Sequence, residues 1–343
     1  MFKKIRVEDA VGEKLSHDIT EIRPGEFKGA AFRKGHTVCD EDICHLQKLG
    51  KNHLYLINLD KDEIHENQAA SILANGLAGT GITWENDPKE GKICLYAKTD
   101  GLLVVDKANL AAFNMVDEAM CASLHSYTLV KKGQQVAATR AIPLVMKRSP
   151  VERAAAIAQQ NGGTVFVHKL KSSKIGIVIT GNEVFNGLID DKFAPIINKK
   201  IEDLGSTVSE IVFAPDDESI IQQAIEKHID NDCDLILLSG GMSVDPDDVT
   251  RKGIQKAGAG EMHYGAAALP GAMFMVAYIE GTPLLGVPAC GLHHKVTVLD
   301  LILPRVLIGE HIGKKELAFI GHGGLCMDCP ECVHPHCPFG KGM

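Results

Sequence analysis

From Lys174 onward the chain alternates short apolar runs with amphipathic segments, and this alternation restricts the fold more than any other feature of the sequence. The run IGIVIT, residues 175–180, is apolar almost throughout. A strand covered on both faces reads that way, whereas a strand with one wet face alternates apolar and polar residues. The loop GNEVFNGLIDD follows, then a segment with Ile197, Ile201 and Leu204 on one helical face and Gly205 as its stop. STVSEIVFAP is the expected second strand. Asp217 to Asp230 is the second helix, with Ile221, Ala224, Ile225 and Ile229 on one face, and DLILLSGG is a third strand running into a diglycine turn. Two βαβ crossovers predict a parallel sheet with helices on its faces. MFMVAYIEGTPLLGV reads as a hairpin turning at Glu280-Gly281, and KVTVLDLILPRVLIG contains a last apolar helix.

Upstream, the punctuation is that of a mixed α+β region. Ile43, Leu46 and Leu49 mark a helix opening after Asp40 and stopping at Gly50, and HLYLIN follows as a strand. KICLYAK and LLVV are further strand candidates, and Leu110, Phe113, Val116, Met120 and Leu124 suggest one helix face. SYTLVKKGQQVAATRAIPLVM reads as short strands around Lys132-Gly133. Ser149-Pro150-Val151-Glu152 has the form of a capping box, opening a helix that stops at Asn161-Gly162-Gly163. The polar link Lys171-Ser172-Ser173 then separates an N-terminal region of one or two subdomains, 1–171, from the α/β domain, 172–310, and from a cysteine-rich segment, 311–343.

Charge excludes one class of partner. The chain has 343 residues with 36 Lys+Arg against 44 Asp+Glu, a formal charge of −8, so a polyanion-coating role is disfavoured and no nucleic-acid partner is expected. No run approaches the roughly 18 apolar residues of a membrane span, and no apolar stretch follows the first lysines. A cytoplasmic protein is the expectation. Ten cysteines are too few for a disulfide scaffold in a chain of this length, which favours free thiols or metal ligands.

In an open α/β sheet ligands bind beyond the carboxyl ends of the strands. There the chain has Thr180-Gly181-Asn182-Glu183, Pro215-Asp216-Asp217, and Ser239-Gly240-Gly241-Met242-Ser243 with Asp245, Asp247 and Asp248 behind it. Glycine pairs let backbone N–H groups approach an anion, which suits a phosphate. The carboxylates Glu183, Asp190, Asp216 and Asp248 would repel it unless a hard cation such as Mg²⁺ intervened. Each of these residues also has a simpler reading as a turn former or helix cap, and Arg251 and Lys252 read either as neutralising a phosphate or as a solvated helix face.

The succession ITGNEVFNGLIDDKFAPII, LSGGMSVDPDDVT and LPGAMFMVAYIEGTPLLGVPACG resembles the molybdopterin-binding domain of the molybdenum-cofactor biosynthesis proteins, and most closely that of the molybdopterin molybdenumtransferases. The likeness covers roughly 172–310, with DIT, FRKGHTV and IPLVM as weaker echoes upstream. It implies an α/β domain with a three-layer, mostly parallel sheet, a homo-oligomer such as a dimer, and binding of molybdopterin or its adenylate. The implied binding residues are Thr180, Gly181, Asn182, Glu183, Ser239, Gly240, Gly241, Ser243, Asp248, Pro270 and Gly271, with Glu183 and Asp248 holding Mg²⁺ as the catalytic pair. Two departures stand out, the first of them weighing against transferase-type metal use. Ser243-Val244-Asp245-Pro246-Asp247-Asp248 puts Pro246 at an acidic position of that family, and Pro288-Ala289-Cys290-Gly291 replaces its Pro-Gly-Asn-Pro turn, bringing in a thiol. A cysteine-rich segment also stands where the transferase's last domain is expected.

That segment, GHGGLCMDCPECVHPHCPFGKGM, is too rich in glycine and proline for a helix or strand. Cys326, Cys329, Cys332 and Cys337 have nearly the spacing of an iron–sulfur ligand set, one residue longer at the last interval, while His322, His334 and His336 suit zinc equally. Bound metal would supply the order this composition lacks. Three functions follow as expectations: Mg²⁺-dependent molybdenum insertion into bound pterin, non-catalytic carriage of the cofactor to a molybdoenzyme client, or nicotinamide-nucleotide hydrolysis of the competence-damage type.

Overall fold

The computed structural model describes residues 2–23, 25–57, 59–242 and 249–342, in two compact units. One comprises 99–104, 125–132 and 167–343, and the other 1–98, 105–124 and 133–166.

The larger unit is built on six strands: β1 (Lys174–Thr180), β2 (Thr207–Ala214), β3 (Leu235–Ser239), β4 (Glu261–Tyr264), β5 (Met275–Ile279) and β6 (Thr282–Val287). Their order across the sheet is β2-β1-β3-β6-β5-β4. The first four run parallel; β5 pairs antiparallel with β6, and the edge strand β4 pairs antiparallel with β5. Glu280 (φ 48°) and Gly281 (φ 90°) make the tight β5–β6 turn, the backbone sense that favours a two-residue hairpin.

Alternate residues of the inner strands enter different cores. Ile175, Ile177, Leu235, Leu237 and Leu285 pack with Ile197 and Ile201 of α1 (Phe193–Asp203) and Ile302 of α4 (Val298–Leu307). Val178, Ile236 and Leu238 pack with Ile221 and Ile225 of α2 (Glu218–Asp230) and Ile254 of α3 (Thr250–Lys256). The result is three layers, and it explains why the strand runs are apolar throughout. Asp217 caps α2, its carboxylate accepting from the Ser219 and Ile220 N–H groups at 2.8 and 3.0 Å. Gly176 is required for close packing, because a Cβ there would strike the ring of His228, a fully buried residue of α2.

Residues 311–343 fall in this same unit. Leu317 of α5 (Lys314–Phe319), Ile320 and Phe339 belong to the core under α4, and beyond α5 the chain makes turns and bends with one bridge, Leu325 to Leu269. The segment 125–132 is held by Tyr127, over whose ring the buried Arg305 guanidinium sits at 4.2 Å. Arg305 in turn donates to both carboxylate oxygens of Glu310 at 2.6 and 2.9 Å.

The smaller unit contains a four-stranded antiparallel sheet in the order Ile82–Trp84, Lys92–Ala97, Gln135–Ala141, Ala119–Ser123, with helices Glu66–Leu77, Lys107–Asn114 and Arg148–Ala158. A second core gathers Val7, Leu15, Ile19, Phe32, Leu46 and Leu54. Two local expectations are corrected here. The helix through Leu110 ends at Asn114 instead of running to Leu124, because the Asn114 side chain bonds both the N–H and the carbonyl of Cys121 and Glu118 turns the chain at φ 71° into a strand. Ser149 does not cap the later helix, which opens at Arg148, whose N–H donates to the Asp62 carbonyl. Among the described residues no helix is long and apolar enough to cross a membrane.

Candidate functional site

Parallel pairing aligns the carboxyl ends of four strands. Thr180 lies beside Ala214, Ile179 beside Ser239, and Ser239 beside Val287, so the loops starting at Gly181, Pro215, Gly240 and Pro288 leave one edge of the sheet. The expected convergence is therefore present in the backbone.

Close packing between these loops depends on glycine. Gly240 (φ 92°) lies so near Thr180 that a Cβ would collide with the Thr180 carbonyl oxygen, and a Cβ on Gly241 (φ 54°) would collide with the Thr250 hydroxyl. Thr180 and Thr250 are buried, and their hydroxyls bridge the loops: Thr180 Oγ1 lies 3.1 Å from the Ser239 carbonyl, and Thr250 Oγ1 lies 3.0 Å from that of Gly240. Met242 is buried and its carbonyl accepts from Tyr264 Oη at 2.7 Å, while the Arg251 guanidinium stacks 4.4 Å over the Tyr264 ring. Both flanks of the acidic loop are thus anchored. Ser243 and Asp248, with Asp245, Pro246 and Asp247, lie outside the described residues.

Beside this edge is a cavity of about 670 Å³, lined by Gly240, Gly241, Met242, Pro270, Gly271, Met273, Cys290 and His294 among others. Its size is that of a small-molecule site. Thioether, proline and glycine walls suit a flat ring system, and burial pushes the Cys290 thiol up, keeping it a neutral group at ordinary pH. Gly271 (φ 115°) is pressed against Val298 at the start of α4, where a Cβ would sit 2.8 Å from Val298 Cγ2.

The expected site residues therefore separate. Gly240, Gly241, Pro270 and Gly271 line the cavity together with Cys290. Thr180 and Ser239 are buried at the strand ends beneath the loops. Asn182 is tied to the neighbouring loop: its N–H donates to Asp216 Oδ2 at 2.9 Å and its Oδ1 accepts from the Asp216 N–H at 3.2 Å. Glu183 is exposed on a short helix, Asn182–Phe185, that begins after Gly181. Among the described residues no group of three or more His, Cys, Asp or Glu is arranged to hold a metal ion, although magnesium bound largely through substrate phosphates and water would not need such a cage.

Sequence reasoning missed His294, which lines this cavity and two adjoining ones, and had no spacing by which to find it. It also passed over a polar cavity of about 360 Å³ in the smaller unit, where His17, Asp18, Lys34, His65, Glu66 and Arg140 meet. His65 Nδ1 accepts from the Asn67 N–H at 3.1 Å, so its proton lies on Nε2, facing the Ser16 carbonyl at 3.2 Å. Burial lowers the pKa of both His17 and His65 and raises that of Glu66.

Residues 176–307 match the family model described as a probable molybdopterin binding domain, and residues 4–58 match one described as a domain of unknown function. A protein of Archaeoglobus fulgidus is 36% identical over 81 residues, 24% of this chain and 35% of that protein. A CinA-like protein of Mycobacterium marinum is 35% identical over 79 residues, 23% of this chain and 19% of its own length. The chain thus spans about a third or less of these curated relatives. Among solved structures, CinA of Thermoplasma acidophilum aligns with 39% of this chain and 98% of its own at 16% identity (TM-score 0.36). MoaB of Thermus thermophilus, a molybdopterin biosynthesis enzyme, aligns with 40% and 98% at 19% identity (TM-score 0.35).

Proposed function

We propose, on the premise that residues 176–307 belong to the molybdopterin-binding domain family, that this chain binds molybdopterin or adenylated molybdopterin at the carboxyl edge of its parallel sheet and acts in molybdenum-cofactor biosynthesis or handling. The observation that carries this reading is the cavity of about 670 Å³ in which Gly240, Gly241, Pro270 and Gly271 meet. The pterin would lie against Met242 and Met273, and the phosphate would face the glycine loop, where the missing Cβ atoms allow the backbone to come close. In the transferase form of the reading, Glu183 and Asp248 hold Mg²⁺, which would neutralise phosphate charge during molybdenum insertion. The same reading includes a second copy of the chain and a molybdoenzyme client.

Carriage without catalysis is the alternative. It is supported by Pro246 at an acidic position of the transferase family and by Cys290 in the cavity wall. Anaerobically purified protein would be titrated with adenylated molybdopterin, with and without Mg²⁺ and molybdate, for the parent and Asp248→Ala. AMP release that requires Mg²⁺, molybdate and Asp248 supports insertion, and tight binding without release supports carriage. Turnover of nicotinamide mononucleotide without pterin binding would replace both with a hydrolase.

A further inference from the structure

We propose that Cys326, Cys329, Cys332 and Cys337 form a four-thiolate metal site that closes on loading, and that the loaded loop forms one wall of the cavity at the sheet edge. The proposal does not depend on which ligand fills that cavity.

The four cysteines, all free thiols, line a single cavity of about 310 Å³ beside the larger one. Both ends of their loop are pinned. At one end the Cys326 N–H donates to the Leu269 carbonyl at 2.8 Å, and the Leu269 N–H donates to the Gly324 carbonyl at 2.8 Å. At the other, Phe339 is 3% exposed in the core and the Gly340 N–H donates to the Gly323 carbonyl at 2.9 Å. Residues 323–324 and 340 are thus neighbours, and the cysteines lie on a closed excursion between them. Tying the loop at its base leaves little closure entropy for a metal to overcome.

Within 327–337 the chain forms no strand or helix, so the loop can draw its thiols inward without breaking one. Such movement is needed, because among the described residues no three ligands already stand at metal-binding distance. Thiolates select soft or borderline ions over Mg²⁺, and the spacing of these four favours zinc or an iron–sulfur cluster among them. Each thiol that ligates gives its proton to solvent, up to four per site.

The two cavities share Cys326, Asp328 and His294 as lining. Drawing Cys326 toward a metal therefore fixes residues that also face the sheet-edge cavity.

The test uses the full chain, purified anaerobically without metal and loaded in separate arms with Zn²⁺, with Co²⁺ as its spectroscopic substitute, or with ferric iron and sulfide. One zinc per chain with thiolate-to-cobalt charge transfer, or one cluster with visible absorption bleached by dithionite, supports the site and identifies its metal. Cys329→Ser/Cys332→Ser is expected to weaken loading more than about 100-fold, beyond the loss caused by disturbing groups outside the ligand shell. Cys44→Ser, an exposed thiol of the smaller unit, should leave loading unchanged. Thiol alkylation of the parent guards against misfolding of the variants: metal should protect Cys326, Cys329, Cys332 and Cys337 and leave Cys39 and Cys44 reactive. Failure to load in every arm, equal loading of the double variant, or alkylation unaffected by metal would overturn the proposal.

Discussion

The hydroxyls of Thr180 and Thr250 lie 2.9 Å apart, joining the end of β1 to the start of α3 across 70 residues. Each hydroxyl also approaches a carbonyl, of Ser239 and Gly240 respectively, so two hydroxyl protons serve three contacts. The pair is buried and clamps the base of the loop that carries Gly240 and Gly241. Thr180→Val and Thr250→Val should each lower unfolding free energy by about 1–2 kcal/mol. The double variant should lose less than the sum, because each change already breaks the shared bond. Denaturant titrations of the four proteins measure this, and strict additivity would show the hydroxyls to be uncoupled.

Gly240→Ala tests the close approach of the same loops. The new methyl meets the Thr180 carbonyl oxygen in a backbone region that side chains avoid, so we expect a loss above about 2 kcal/mol from strain and overpacking together. Thermal melts against Gly258→Ala, a left-handed glycine with open space around its Cβ position, separate crowding from backbone strain. Equal losses in the two variants would mean that crowding contributes nothing.

The parallel sheet was legible for a specific reason. Strands buried on both faces have to be apolar at every position, as Ile177 and Val178 illustrate by entering opposite cores, and the turn at Glu280-Gly281 announces its own geometry. Helix Lys107–Asn114 misled because Val116, Met120 and Leu124 continue its period by coincidence, and the chain leaves the helix through a side-chain bond from Asn114 to Cys121 that no periodicity reveals. At the site, residue types pointed to the sheet edge beside which the cavity lies but could not separate lining from support. Gly240 and Pro270 face the cavity, whereas Thr180 and Asn182 spend their polar groups on neighbouring loops. His294 comes to the cavity through tertiary folding alone.

Acid should destabilise the larger unit through His228. Its ring is buried against Gly176, with Nε2 3.2 Å from the Ile177 carbonyl, and burial lowers its pKa below the ordinary 6.5. The unfolded chain takes up a proton first as pH falls, so stability is full above about pH 6.5 and declines as pH drops from there toward the folded pKa. Unfolding free energies at about pH 7.5 and about pH 5.5 for the parent and His228→Gln measure the effect. An equal decline in the variant would assign the loss to other groups.

Glu66 has the opposite sign. Burial raises its pKa in the folded state, so folding favours the protonated acid and stability declines as pH rises through the folded value. Glu66→Gln should therefore stabilise the smaller unit at neutral pH and leave stability below about pH 4 little changed. Chemical denaturation monitored through Trp84 in the same unit reads this directly. A destabilised variant at neutral pH would mean that Lys34 and Arg140 outweigh desolvation.

The cavity between Gly240 and Cys290 is expected to take a pterin. Met273 lines it, is 39% exposed, and so can accept a charge without loss of the core. Binding of molybdopterin to anaerobic protein, measured calorimetrically for the parent and Met273→Glu, is the most direct test. One pterin per chain in the parent and at least tenfold weaker binding in the variant, about 1.4 kcal/mol, is the expected result. No binding by the parent, or equal binding by both, would contradict it.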